Sequence, residues 1–95
     1  MSEIDELSVA FVDDGLEVVK ELDKVILSRG AWTTILFLYQ DWDNKTEDYG
    51  KVKATLRRYR KVKGQYRQQS KFNISSMKQG RELAEHLARW GAEHE

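Results

Sequence analysis

Written as an extended strand, the stretch WTTILFLYQDW (residues 32–42) is apolar on both faces: Ile35, Phe37 and Tyr39 project to one side, Leu36 and Leu38 to the other. A strand buried on both sides needs two covers. One is available in the apolar stripe Met77, Leu83, Ala84, Leu87 and Trp90, which has helical spacing near the C-terminus. The other must come from a second subunit, the N-terminal segment or a ligand. A chain of 95 residues forms one domain and buries only about two-thirds of its unfolded surface, so a core shared between two copies is expected.

Working upstream, VIL and TTILFLY flank the short SRGAW and read as a hairpin. Residues 16–27 are ambiguous, because Val18, Val19, Leu22, Val25 and Ile26 follow helical spacing with Gly30 as a stop, while the hairpin requires a strand. Residues 1–15 read as an acidic arm with little expected order, although Val9, Phe11 and Val12 offer it a way to dock. Downstream, DWDNKTEDYG reads as a polar loop, after which Val52, Ala54 and Leu56 alternate with Lys53, Thr55, Arg57, Tyr59 and Lys61. A turn at Lys63 and Gly64 leads into residues 65–74, where Phe72 and Ile74 oppose a polar side formed by Arg67, Gln69, Lys71 and Asn73. Ser76 followed by Gln79 is a capping-box signature, and the helix is expected to end near Gly91. The expected fold is α+β: a four-stranded antiparallel sheet over residues 16–95, followed by a C-terminal helix, in a dimer.

The chain is neutral in total but divided along its length. Residues 1–50 carry four bases against twelve acids, a net −8, and residues 51–95 carry twelve bases against four acids, a net +8. Between residues 51 and 71 there are nine bases and no acid. Such asymmetry points to a polyanionic partner or to an acidic segment of the same chain; the plainer reading is a solvated basic strand pair. On the open sheet face the candidate binding residues are Lys53, Arg57, Tyr59, Lys61, Lys63, Arg67, Gln69 and Lys71. Cations follow the phosphates of a single strand, an aromatic ring stacks on a base, and an amide bonds base edges. By alternation Arg58 and Arg60 fall on the opposite side. Duplex recognition is disfavoured, because the one helix does not carry the bases.

The segment ATLRRY, residues 54–59, resembles the third-strand motif of the positive cofactor four (transcriptional coactivator) family and its bacterial relatives. Leu56, Arg57 and Tyr59 stand at its apolar, arginine and aromatic positions. LSRGAW with the strand ending in DW is similar to the family's first hairpin, and FNIS, residues 72–75, to the segment that leads into its helix. The resemblance spans residues 16–90. It implies strand for residues 16–27, a β-β-β-β-α protomer, a homodimer, and binding of single-stranded DNA in transcription or DNA maintenance, with Arg57 and Tyr59 in contact.

Other classes find less support. With no cysteine the chain has no disulfide and no thiolate metal site, and the acidic start lacks the basic and apolar regions of a signal peptide. A cytoplasmic protein is expected. Residues 31–39 form the longest largely apolar run, far below the roughly 20 residues of a membrane helix, so no membrane partner is expected. His86 and His94 have no Ser or acid in triad-like order, so neither catalysis, a small-molecule substrate nor a cofactor is expected. The loop acids Asp41, Asp43, Glu47 and Asp48 have Lys45 where a calcium loop needs an oxygen and lack its glycine, and read as a solvated loop. The rival to nucleic-acid binding, DNA or RNA, is a protein-interaction module whose basic face meets an acidic protein or the chain's own arm.

Overall fold

The computed structural model describes residues 4–94. A 3-10 turn, Ile4–Glu6, precedes β1 (Phe11–Asp13), β2 (Leu16–Ser28), β3 (Trp32–Asp43), β4 (Asp48–Tyr49), β5 (Lys53–Val62), β6 (Gln65–Ile74) and α1 (Met77–His94). All pairings are antiparallel, in the order β1-β2-β3-β5-β6, with β4 beside the end of β3. The fold is α+β as expected. Among the described residues the sheet has six strands rather than four, because residues 11–13 and 48–49, read as arm and loop, pair with β2 and β3. Residues 16–28 are strand, and α1 continues past Gly91 to His94.

Local chemistry accounts for the hairpins. Asp14 and Gly15 (φ 52° and 81°) and Lys63 and Gly64 (φ 52° and 79°) form two-residue turns with positive φ at both positions, the geometry whose twist suits flanking antiparallel strands. β2 is ambiguous in sequence because its pairing with β3 slips between Glu21 and Asp23 and between Ile26 and Ser28. Each slip inserts one residue, so the side facing β3's buried residues reads Val19, Glu21, Lys24, Ile26. The two insertions break the two-residue alternation by which a strand is read, so the segment does not show a strand's period.

The two faces of β3 have different covers. Thr33, Ile35, Phe37 and Tyr39 are buried, and with Tyr59 the residues Ile35 and Phe37 form a core closed over by Ile4, Leu7, Val9, Ile26 and Tyr66. The N-terminal segment is therefore the cover on this side. Lys24 holds it, donating all three ammonium hydrogens to the carbonyls of Ile4 (3.0 Å), Asp5 (2.9 Å) and Leu7 (2.6 Å). Glu21 Oε1 accepts from the Ser8 hydroxyl (2.6 Å) and the Val9 amide (3.2 Å).

On the other face, α1 begins with the expected cap: the Gln79 amide donates to Ser76 Oγ at 3.1 Å, and Gln79 Oε1 accepts from the Ser75 amide at 3.0 Å. Its first turns lie over Ala54 and Ile74, bordering an apolar groove of about 370 Å³ that Val25, Leu36 and Leu38 also line. The rest of the helix covers little. Leu83, Leu87 and Trp90 are exposed, as are Val25 and Phe72 on the sheet. The radius of gyration, 15.3 Å, exceeds the roughly 12 Å of a compact domain of this length, and the shortest dimension is 17 Å. No helix among the described residues is long and apolar enough to cross a membrane.

Candidate nucleic-acid interface

The hairpin β5–β6 receives all but Lys51 of the nine bases between residues 51 and 71. Its register sorts them. Tyr39 pairs with Lys53, Phe37 with Thr55, Ile35 with Arg57 and Thr33 with Tyr59, so these β5 residues share the arm-covered side of the sheet. Across the hairpin, Asn73 lies opposite Thr55, Lys71 opposite Arg57 and Tyr66 opposite Lys61. Arg57 donates from Nε to Thr55 Oγ1 (3.1 Å) and from Nη1 to Gln68 Oε1 (2.8 Å), while the Thr55 hydroxyl reaches Asn73 Oδ1 at 2.8 Å. These partners fix the guanidinium without neutralising it. Lys61 lies 5.6 Å from the centre of the Tyr66 ring, and Lys63 occupies the turn.

Three expected site residues are placed otherwise. Tyr59 is on the Arg57 side, but it is only 6% exposed beneath the arm, so it offers no face to a base. Burial pushes its phenol above the ordinary value of 10.0; Arg57 acts in the opposite direction and Glu21 adds to the rise. Arg67 lies on the helix side, because the register slips between Arg58 and Tyr59 and pairs Arg67 with Arg60. Gln69 is the extra residue of that bulge, its side chain donating to its own strand at the Arg67 carbonyl, 3.2 Å away. Of the expected cations, Lys53 pairs with Asp41 at 3.1 Å. No carboxylate pairs with the other eight bases among the described residues.

Two features were not anticipated. Like charges face each other twice in one hairpin, Arg57 opposite Lys71 and Arg60 opposite Arg67, an arrangement that weakens a strand pair. On the helix side, Arg58 and Arg60 both lie against Trp32, their guanidinium carbons 4.3 and 5.3 Å from the ring centre. Alternation signalled only that Arg58 and Arg60 share one side of the strand; their place against Trp32 follows from the β3–β5 register. In comparisons with known proteins, the chain matches no family model, no curated protein and no solved structure.

Proposed function

We propose that this chain binds single-stranded nucleic acid on the β5–β6 hairpin, as a homodimer, with DNA favoured over RNA by its resemblance to the positive cofactor four family. The observation that carries the reading is the pair of like-charge cross-strand contacts, Arg57 with Lys71 and Arg60 with Arg67, without carboxylates to offset them. A polyanion relieves that repulsion and releases counterions on binding. Arg57, Lys61, Lys63 and Lys71 form the phosphate track on the arm side. The edge strand β6 leaves room for an unpaired strand, and the exposed helix does not carry the basic run that a duplex groove would receive.

Titration with single-stranded DNA, duplex DNA, RNA and polyglutamate tests this. Single strands are expected to bind tightest, with log affinity against log salt falling with a slope of roughly −3, from about −0.7 per phosphate at four sites. Polyglutamate binding as tightly as the oligonucleotide at matched charge would favour the protein-interaction module instead. Lys71→Glu is expected to move stability and affinity in opposite directions. It replaces a repulsive pair with an attractive one, raising stability by about 0.2 to 1 kcal/mol in a denaturant titration, while flattening the salt slope by about 0.7. Loss of both together would mean that Lys71 serves the fold rather than a ligand.

The homodimer rests on the uncovered apolar surface: Val25 and Phe72 on the sheet and Leu83, Leu87 and Trp90 on α1 form the kind of exposed patch that a twofold partner buries. Sedimentation is expected to show a dimer at about 10 μM, within the range of stable association. Leu87→Asp is expected to yield a folded monomer, since Leu87 is 55% exposed within the protomer. A monomeric wild type at that concentration would remove this part of the reading.

A further inference from the structure

On the arm side Tyr59 is buried and Tyr66 is packed half-buried against the core with Lys61 over its ring, so neither offers an open face to a base. We propose that Trp32, flanked by Arg58 and Arg60, is the base-stacking site of this protein. This inference rests on the nucleic-acid reading and deepens it.

Trp32 opens β3 directly after the β2–β3 turn and is 41% exposed. The turn is anchored: the Gly30 carbonyl accepts from the Thr33 hydroxyl and the Tyr66 hydroxyl, both at 3.1 Å, and the Ala31 carbonyl accepts from the Lys61 amide at 2.7 Å. These bonds tie the base of Trp32 to the end of the β5–β6 hairpin. The ring is thus mounted on regular sheet rather than on a loose loop, and little order remains to be imposed when a base stacks on it.

The register assembles cations around it. Arg60 pairs with Trp32, and Arg58 pairs with Thr34 on the same side. The Gln69 bulge then brings Arg67 opposite Arg60. Two guanidiniums lie against the indole and a third stands opposite one of them across the hairpin, with no carboxylate pairing any of the three among the described residues. Planar guanidiniums stack on aromatic faces while keeping their hydrogen-bond donors free for phosphate oxygens. A base stacked on exposed indole therefore has its own phosphate within reach of arginine, as single-strand binding requires.

The site is continuous with the phosphate track. Lys61 lies beside the hairpin end, Lys63 occupies its turn, and Arg60 and Arg67 follow on the reverse side. A nucleotide chain leaving Arg57 and Lys61 reaches Trp32 by crossing that end. On β3, Trp32 stands four residues, about 13 Å at the rise of a strand, from Leu36, the residue that pairs with Val25 of the apolar surface assigned to the dimer.

The test uses a protein in which Trp32 is the only tryptophan, made by Trp42→Phe and Trp90→Phe and checked for native stability and oligomeric state against wild type. Titration with oligothymidylate is expected to quench Trp32 fluorescence. In the wild-type background, Trp32→Ala is expected to weaken binding about 5- to 150-fold with the salt slope nearly unchanged, and Trp32→Phe to retain most of the affinity. Arg58→Ala and Arg60→Ala are each expected to flatten the slope by about 0.7. Should oligothymidylate bind with wild-type affinity to Trp32→Ala while leaving Trp32 unquenched, the stacking site is overturned and the phosphate track stands. No oligothymidylate binding by wild type overturns both. Quenching is read in a protein that keeps Trp32, so a folding defect in the alanine variant leaves that measurement decisive.

Discussion

A chain shortened to begin at Ala10 is expected to lose a large share of its stability rather than merely a mobile acidic tail. The removed residues include Ile4, Leu7 and Val9, which close the core over Ile35, Phe37 and Tyr59. Each is half-buried, so roughly 1 kcal/mol apiece is a fair share of the 1.5 to 3 kcal/mol for complete burial of such side chains. The truncation also leaves the half-buried Lys24 ammonium without its three carbonyl acceptors and Glu21 without Ser8 and Val9. Together the loss comes to about 4 to 6 kcal/mol, a drop of at least about 16 °C in melting temperature for a domain of this size. Lys24→Met separates the two contributions: it keeps the apolar cover, removes the three hydrogen bonds, and is expected to cost about 1 to 3 kcal/mol. A truncated protein that melts with wild type would show the segment to be an appendage. In that event its acids, Asp5 among them, become candidates for competition with phosphate at low salt.

The same segment marks where the sequence stopped being legible. Its docking residues Ile4, Leu7 and Val9 are spaced three and two apart among acids, so that only Val9 was legible as a means of docking, and Ile4 and Leu7 gain that role only when β2 supplies Lys24 and Glu21. Asp14-Gly15 carried a stronger signal, a hairpin turn, and it was overlooked because the acids around it suggested an unpaired arm. The two-faced character of β3, the Lys63-Gly64 turn and the capped helix were all readable, since each follows from local composition. Bulges were not. One inserted residue at Gln69 reverses the side of Arg67, and strict alternation has no means of signalling the insertion. Tyr59 shows the complementary failure: alternation placed it on the correct side, but that side is covered over Tyr59 and open beyond it.

Tyr59→Ala is accordingly expected to act on the fold and not on a stacked base. Truncating a buried aromatic ring removes its transfer free energy and leaves a cavity against Ile35 and Phe37, at a cost of about 3 to 5 kcal/mol in a denaturant titration. A stacking residue would behave differently, weakening oligonucleotide binding by about 1 to 3 kcal/mol with stability untouched. Tyr59→Phe sharpens the comparison. No hydrogen bond from the Tyr59 hydroxyl is made to a described residue, so phenylalanine keeps the packing, and near-wild-type stability is expected at neutral pH. The difference emerges in alkali. In the unfolded chain the phenol ionises near 10.0, while burial holds the folded phenol neutral to higher pH. The unfolded state then binds fewer protons than the folded state, and stability falls as pH rises. The contribution of Tyr59 is thus complete below pH 10 and declines above it, by up to about 1.4 kcal/mol per pH unit until the folded phenol also ionises. Subtracting the Tyr59→Phe curve removes the other tyrosines and the lysines, so wild type should weaken relative to the variant only above pH 10. Parallel curves through that range would place the ring in water, and with that its claim to stack on a base would return.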